Sequence, residues 1–422
     1  MGDFKREISI LWKRNGFWIV LAFAISLLFS GFFETNSLEA DYKSLLQTTN
    51  DLNMMAKTDK KYDEDTSIDK KFFEENDPLF KKMAKKYKFE KYGDFDYENA
   101  SEDEAKEFDQ YNLENGEYLS TLRNYKYFSN SLKLKSNMNF NDSMYFMGII
   151  VVVILGFLFS SIEHATSYYE FSRMYPWTKR KDFLMKIGLG LIIIFSFVVL
   201  GSLLNYMIIR TSNFDILKSA SGLGQRSLRN FGFLSAIYLV ILSVGFMAGN
   251  ILGHIGLGIL TFLSVDIVDT INGNIVSLIK GEDYYYNSIG NWINSRFSAK
   301  GRYFDRVFRV ILRPAVNYEN TLASILGLII FALICFVIAF LLIDRIKTEK
   351  SGMMILLKPI EYIAKILIIT LLASGGAMIF QSAVFEGFSI INFVIFAILI
   401  YVFTKIFNIL FNLKLKVWYE SE

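Results

Sequence analysis

Long apolar runs alternate with polar stretches along the chain, and within the runs there is no two-residue alternation. Eight of them approach the roughly 20 mostly apolar residues that a helix needs to cross a bilayer. They cover residues 16–33, 144–162, 187–209, 231–249, 251–268, 321–343, 366–380 and 390–404; the fifth and the last two are short. A transmembrane β-barrel needs alternating polarity and is excluded. Ahead of the first run, Phe4, Ile8, Leu11 and Trp12 stand beside Lys5, Arg6 and Glu7, which predicts a short interfacial helix over 4–12. The exit from that run reads Phe32-Phe33-Glu34-Thr35, without a small-x-small cleavage pattern, so the run is expected to stay in the protein.

Residues 34–143 interrupt the pattern. Tyr42, Leu45, Leu46, Leu52, Met54 and Met55 recur at spacings of three and four, as do Phe72, Phe73, Leu79, Phe80, Met83, Tyr87 and Phe89. Such spacing predicts amphipathic helices. Asp77-Pro78 is expected to start one, and Tyr92-Gly93-Asp94 to form a turn. This stretch holds 24 acidic and 17 basic residues, a net of −7, which leaves +10 for the rest of a chain whose net charge is +3. An acidic soluble insert on a basic membrane body follows. The expected fold class is an all-α polytopic membrane protein of about eight transmembrane helices, with a mostly helical extracytoplasmic domain between the first two. That domain either recognises a substrate or partner or serves as a solubilising cap.

Composition narrows the chemistry. The chain is 52% hydrophobic with 40 Phe, despite its polar insert, which excludes an ordinary soluble enzyme, a collagen-like chain or a disordered tail. One Cys excludes a disulfide framework and a Cys-based zinc site, and two distant His argue against a His metal site. No phosphate loop, H-E-x-x-H or G-x-S-x-G occurs, and Gly222-Leu223-Gly224 lacks the third glycine of a dinucleotide site. We therefore expect no enzyme activity, metal or cofactor on this chain, and no nucleic acid among its partners.

Polar residues in or near the spans are Asn205, Asn250, His254, Asp266, Asp269, Lys365 and Gln381. Asp266 and Asp269 share a helical face and read as a cap on an exit loop or as a cation or proton relay. The glycines at 249, 253, 256 and 258 predict a sharp turn between the fourth and fifth spans. Over 300–314, Arg302, Arg306, Arg309 and Arg313 fall on one helical face while Tyr303, Phe304, Val307, Phe308, Val310, Ile311 and Leu312 fill the rest. A membrane-interface basic helix in a lipid headgroup layer is expected there; an entry stripe for anionic substrates is the alternative. The Lys/Arg bias favours both termini inside, but it gives the same balance for seven spans as for eight.

After the second run the chain reads Glu163-His164-Ala165-Thr166-Ser167-Tyr168-Tyr169-Glu170-Phe171-Ser172-Arg173-Met174-Tyr175-Pro176-Trp177-Thr178-Lys179-Arg180-Lys181, with Lys186 opening the third. Residues 165–175 can form three helical turns that Pro176 ends. Tyr168, Tyr169, Met174 and Tyr175 offer contact area, and Glu163, Glu170 and Arg173 offer charge pairs, for a groove on a cytosolic partner. The bland alternative is an interfacial connector with a basic end.

This segment resembles the coupling segment of ABC-2-type ABC transporter permeases, which carry a Glu-bearing helix after span two, a Pro turn and a Lys opening span three. Glu170, Pro176, Thr178, Arg180 and Lys186 match, whereas Ser167-Tyr168-Tyr169 stands where relatives often have glycine. The resemblance covers the first six spans; two more go beyond it. It implies that Glu163, Tyr168, Tyr169, Glu170, Arg173, Met174, Tyr175 and Pro176 contact an ABC ATPase subunit, which would carry the ATP and Mg. It also implies a second permease chain, the same or related, and a bacterial plasma membrane with both termini cytoplasmic. Residues 273–320 would lie outside as an extracytoplasmic or re-entrant segment. The implied organisation is 1–33 (interfacial helix and first span), 34–143 (extracytoplasmic domain), 144–272 (spans two to five, with the coupling segment at 163–183), 273–320, and 321–422 (spans six to eight and a cytoplasmic tail). The implied activity is export of a hydrophobic or amphiphilic molecule such as a lipid, peptide or antibiotic, with antimicrobial peptide resistance as one outcome. A non-transporting receptor or scaffold acting through the external domain is the rival expectation.

Overall fold

The computed structural model describes residues 2–93, 95, 101–133, 142–166, 178–218, 223–280, 288–297, 302–314, 321–384 and 390–415. Among them there is no strand; the backbone is helical apart from connectors and one isolated bridge between Ala248 and Ile355. The helices are α1 (Gly2–Met55), α2 (Lys70–Lys86), α3 (Phe89–Tyr92), α4 (Glu102–Lys133), α5 (Asp142–Phe159), α6 (Ser161–Ala165), α7 (Lys179–Thr211), α8 (Leu223–Met247), α9 (Ile251–Phe262), α10 (Ser264–Lys280), α11 (Ile289–Arg296), α12 (Tyr303–Leu312), α13 (Leu322–Leu342), α14 (Lys358–Val384) and α15 (Ile390–Asn412).

Seven of the described helical stretches are long and apolar enough to cross a membrane. Leu28, Ile192, Ile379 and Ile409 illustrate their outward faces, which are apolar and exposed. Helices of this length that show hydrocarbon side chains outward are at home in lipid, where every backbone group must be satisfied within the helix. The chain is an all-α polytopic membrane protein. The fifth expected span is not a single helix: α9 and α10 meet at Leu263 with a bend of 77°, so the pair is either a broken span or a re-entrant element. Polarity accounts for the break, because α10 opens with Asp266 and Asp269, whose carboxylates are taken up by neighbouring elements described below.

The separate interfacial helix expected over 4–12 does not form. Instead α1 runs unbroken from Gly2 to Met55. Only Gly16 weakens the junction, and a lone glycine costs a helix about 1 kcal/mol, too little to break so long a one. At 1.5 Å per residue its contour is about 80 Å, far beyond a bilayer core of about 30 Å. The helix therefore passes through the expected boundary at Glu34 and contributes its C-terminal half to the insert.

The chain divides into two compact units. One comprises Ala24–Met147 and Phe197–Leu228. It is helical, as the spacing predicts, and its core joins Leu45 and Leu52 of α1, Phe72 and Phe73 of α2, and Leu122 and Tyr125 of α4. Phe214 belongs to the same core, brought there by the turn after α7. That turn is tied in by backbone hydrogen bonds from Ile68 N–H to the Asn213 carbonyl (2.8 Å) and from Ile216 N–H to the Ile68 carbonyl (3.0 Å). The other unit comprises Met1–Phe23, Gly148–Ser196 and Arg229–Glu422. Here α14 packs against α15 and α10, with Asn274 donating to Ser374 at 3.2 Å, and α12 packs on α13.

Pro78 does not start a helix; it lies inside α2, whose N-cap is Asp69 accepting from Phe72 N–H at 2.9 Å. Burial overrides the local signal: Phe72, Phe73, Asn76 and Met83 flank the proline and are all buried on one packed face. Gly93 follows α3 as a turn, donating to the Phe89 carbonyl at 2.7 Å, and Asp94 lies outside the described residues. An interior proline both loses a hydrogen bond and clashes with the preceding turn. Pro78→Ala should therefore stabilise this unit by about 1–3 kcal/mol. A urea series of protease resistance on the detergent-solubilised chain measures it; a lower midpoint would mean that Pro78 acts as a helix start after all.

Candidate functional site

Residues 156–166 read Gly-Phe-Leu-Phe-Ser-Ser-Ile-Glu-His-Ala-Thr, a polar ending on an apolar helix. The paired serines break it. Ser160 bonds back to the Gly156 carbonyl and leaves helical geometry (φ −134°, ψ −88°), so α5 stops and α6 restarts for five residues. Serine pairs that bond back to their own helix are a recognised cause of such kinks. Thr166 is extended (φ −103°, ψ 157°) and ends α6.

The break aims Glu163 inward, where it is 3% exposed. Its Oε2 accepts from Arg14 Nη2 of α1 at 2.6 Å and from Lys186 Nζ of α7 at 3.0 Å. Lys186, 1% exposed, also reaches Asp182 one turn earlier at 3.0 Å. Its ammonium lies 5.0 Å from the centre of the Phe246 ring of α8. Among the described residues, two cations and two carboxylates thus meet in a buried cluster, with equal numbers of each sign, drawn from α1, α6 and α7. A buried charge is tolerable only when paired and hydrogen-bonded, and removing one partner leaves the other uncompensated. Tyr238 of α8 locks the same turn by donating to the Lys186 carbonyl at 2.7 Å. Gly190 allows the approach, since a Cβ there would collide with the Tyr238 ring.

A second layer surrounds the cluster. His164 Nδ1 lies 2.7 Å from the Ala248 carbonyl, and the Ser351 hydroxyl donates to the His164 carbonyl. His254 of α9 lies 2.9 Å from Ser161 Oγ and 2.8 Å from the Ile241 carbonyl. Asn250 forms the sharp turn expected between α8 and α9: its Oδ1 accepts from Gly253 N–H at 2.8 Å, and its Nδ2 donates to the Gly352 carbonyl at 2.9 Å. The connector after α13 then runs alongside residues 247–249. Leu356 N–H bonds the Met247 carbonyl at 2.9 Å, and Gly352 N–H bonds the Gly249 carbonyl at 3.1 Å. Gly352 has φ 82°, a left-handed conformation that favours glycine. The same connector accepts Lys179 at the Ile346 carbonyl and pairs Asp344 with Arg180 at 2.8 Å, holding the start of α7.

Of the residues predicted to contact an ATPase, Glu163 is therefore a buried anchor. Tyr168, Tyr169, Glu170, Arg173, Met174, Tyr175 and Pro176 lie outside the described residues, between the two elements that the Glu163–Lys186 pair joins. The four arginines of the basic helix are all described. Arg302 is exposed, Arg306 and Arg313 are half-buried, Arg309 is buried, and Arg313 pairs with Asp266. Asp269 accepts from Ile289 and Gly290 N–H at 2.8 and 3.0 Å and so caps α11; the two aspartates act within the fold as a cap and an ion-pair partner. Sequence reasoning missed Arg14 and Asp182. Asp182 left a signal, four residues before Lys186 at the head of an apolar run; Arg14 left only its place just before the first run.

Among the described residues no group of three or more His, Cys, Asp or Glu side chains converges in a way that holds a metal. The cluster's chemistry is mechanical: it fixes α6 and α7 to each other and to α1. These features define a multi-pass helical membrane protein whose two halves of a polar connection share one buried ion cluster. Compared with protein-family models, curated proteins and solved structures, the chain matches none.

Glu163→Gln and Lys186→Met should each lower stability by about 3–5 kcal/mol, because each strands a buried charge. The double variant keeps the two signs equal in number and should lose less than the sum of the two. A double-mutant cycle on thermal unfolding in detergent measures the coupling; additive losses would show that the pair does not act as a unit.

Proposed function

We propose that the chain is the membrane-spanning permease subunit of a bacterial ABC transporter, exporting a hydrophobic or amphiphilic molecule with energy from a separate ATPase subunit. The observation that carries the reading is the Glu163–Lys186 pair at 3.0 Å, which ties together the elements on either side of residues 167–177. A partner that grips that segment pushes on α6 and α7 at once, and Arg14 extends the push to α1. Rigid elements joined in this way transmit a partner's closure as a rigid-body shift.

In this reading Glu170 and Arg173 make the specific charge contacts and Tyr168, Tyr169, Met174 and Tyr175 the contact area. ATP and Mg are held by the partner, and a second permease chain encloses the path with this one. The insert faces outside, both termini face the cytoplasm, and the apolar helix surfaces suit a lipid, hydrophobic peptide or amphiphilic antibiotic. The rival reading, a receptor or scaffold acting through the insert, draws on the well-packed core of that unit.

Purification of the tagged chain from its native membrane in mild detergent separates the two. A stoichiometric phosphate-loop ATPase should accompany it, and Glu170→Ala with Arg173→Ala should remove that ATPase while Arg302→Gln leaves it bound. Unchanged association in the double variant would overturn the coupling role. Recovery without any ATPase, under conditions that preserve other ABC complexes, would favour the scaffold.

A further inference from the structure

Helix α12 turns its faces in an order that the arginine spacing alone does not reveal. Its aromatic side is outward: Phe304 is 71% and Phe308 50% exposed. Val307 and Val310 close on α13, where the absence of a Cβ at Gly327 lets the Val307 carbonyl and Val310 side chain approach. Arg306 and Arg309 border that packed side, and Arg309 is only 8% exposed.

Among the described residues, the carboxylates of α10 and α12 have partners other than Arg306 and Arg309. Asp266 takes Arg313, Asp269 takes the N-terminus of α11, and Asp305 accepts the Arg302 N–H at 3.0 Å to cap α12 itself. Arg309 has no hydrogen-bond or ion-pair partner among the described residues, and the Nε atoms of Arg306 and Arg309 are buried without an acceptor. A guanidinium does not shed its proton to escape burial. Arg309 is largely buried and Arg306 half-buried, and a guanidinium held partly out of water without a partner is unfavourable, so the pair favours an anion at its terminal nitrogens. Two planar forks one helical turn apart suit an oxyanion with several acceptor oxygens, and phosphate above all. Exposed phenylalanines on the same short helix place it against lipid tails, where a phosphate ester is the anion at hand.

We propose that Arg306 and Arg309 form a binding site for a phosphate-bearing anion, supplied by the headgroup of an anionic phospholipid. The site requires only that the helix lie at a membrane, and stands or falls apart from the transporter reading.

The test reconstitutes the full chain in phosphatidylcholine discs, alone, with phosphatidylglycerol, or with inorganic phosphate. Thermal unfolding and native mass spectrometry of retained lipid are the readouts. Wild type should be stabilised by phosphatidylglycerol and retain it. Arg309→Met should lose the stabilisation and reduce retention at least about tenfold, as expected when one charge-assisted fork is removed. In phosphatidylcholine alone Arg309→Met should be no less stable than wild type, since it removes an uncompensated charge. Arg302→Gln, an exposed control, should respond like wild type. An Arg309-dependent gain from inorganic phosphate equal to that from the lipid would keep the site and assign it to free phosphate. Equal responses of wild type and Arg309→Met to phosphatidylglycerol would overturn the proposal. So would a loss of stability in Arg309→Met that is the same in every lipid, which would mean that a carboxylate of the chain itself holds Arg309.

Discussion

A carboxylate sunk between two cations organises the better-connected unit of this protein. Glu163 accepts from Arg14 and Lys186, and Lys186 also reaches Asp182, so four charges share one buried volume. None of these groups would be tolerated there alone. Their pairing brings together helices that lie far apart in the chain. The kink at Ser160, the lock of Tyr238 on the Lys186 carbonyl and the glycine at 190 all serve to bring that carboxylate and that ammonium within reach. The surrounding hydrogen bonds of His164, Asn250, Ser351 and Gly352 then fasten α8, α9 and the connector after α13 around the same point.

Lipid sets the second constraint. Continuous helices satisfy their own backbone, which is why the apolar runs became helices with few interruptions. Where the helices do break, side chains supply the missing partners: Ser160 and Ser161 at the α5–α6 kink, Asn250 at the α8–α9 turn, and Asp269 at the start of α11. Each of these three breaks therefore coincides with a polar side chain that has a defined use.

The apolar runs, the helical insert and the turn at Asn250 were legible in the sequence because each depends on local spacing or composition. Less legible was whatever depends on a distant contact. Nothing near Arg14 announces that it will meet Glu163, and nothing near Phe214 announces that it will join the core of the insert. Pro78 misled for the same reason: its local signal says start, while Phe72, Phe73 and Met83 need one helix to pass straight through it. Similarly, α1 has no stop signal at Glu34, so reading a boundary there mistook a change of solvent for a change of structure. The residues proposed as a coupling segment were named by resemblance, and in sequence they lie between the two members of the buried Glu163–Lys186 pair.

The two arginine-bearing places in this unit treat buried charge in opposite ways. Around Glu163 the described residues supply both signs themselves. Around Arg309 the described carboxylates on α10 and α12 pair with Arg313 and with two helix N-termini, and the Nε atoms of Arg306 and Arg309 are buried without a described acceptor. The same short helix uses Asp305 on its own cap while carrying Arg306 and Arg309 within it and Arg302 and Arg313 at its two ends. On the lipid-site proposal, the surroundings supply the anion that these arginines face. Beside a helix whose phenylalanines face outward, those surroundings are lipid. On that proposal the internally paired cluster holds its helices by the chain's own charges, whereas the packing of α12 on α13 is expected to respond to the lipid around it.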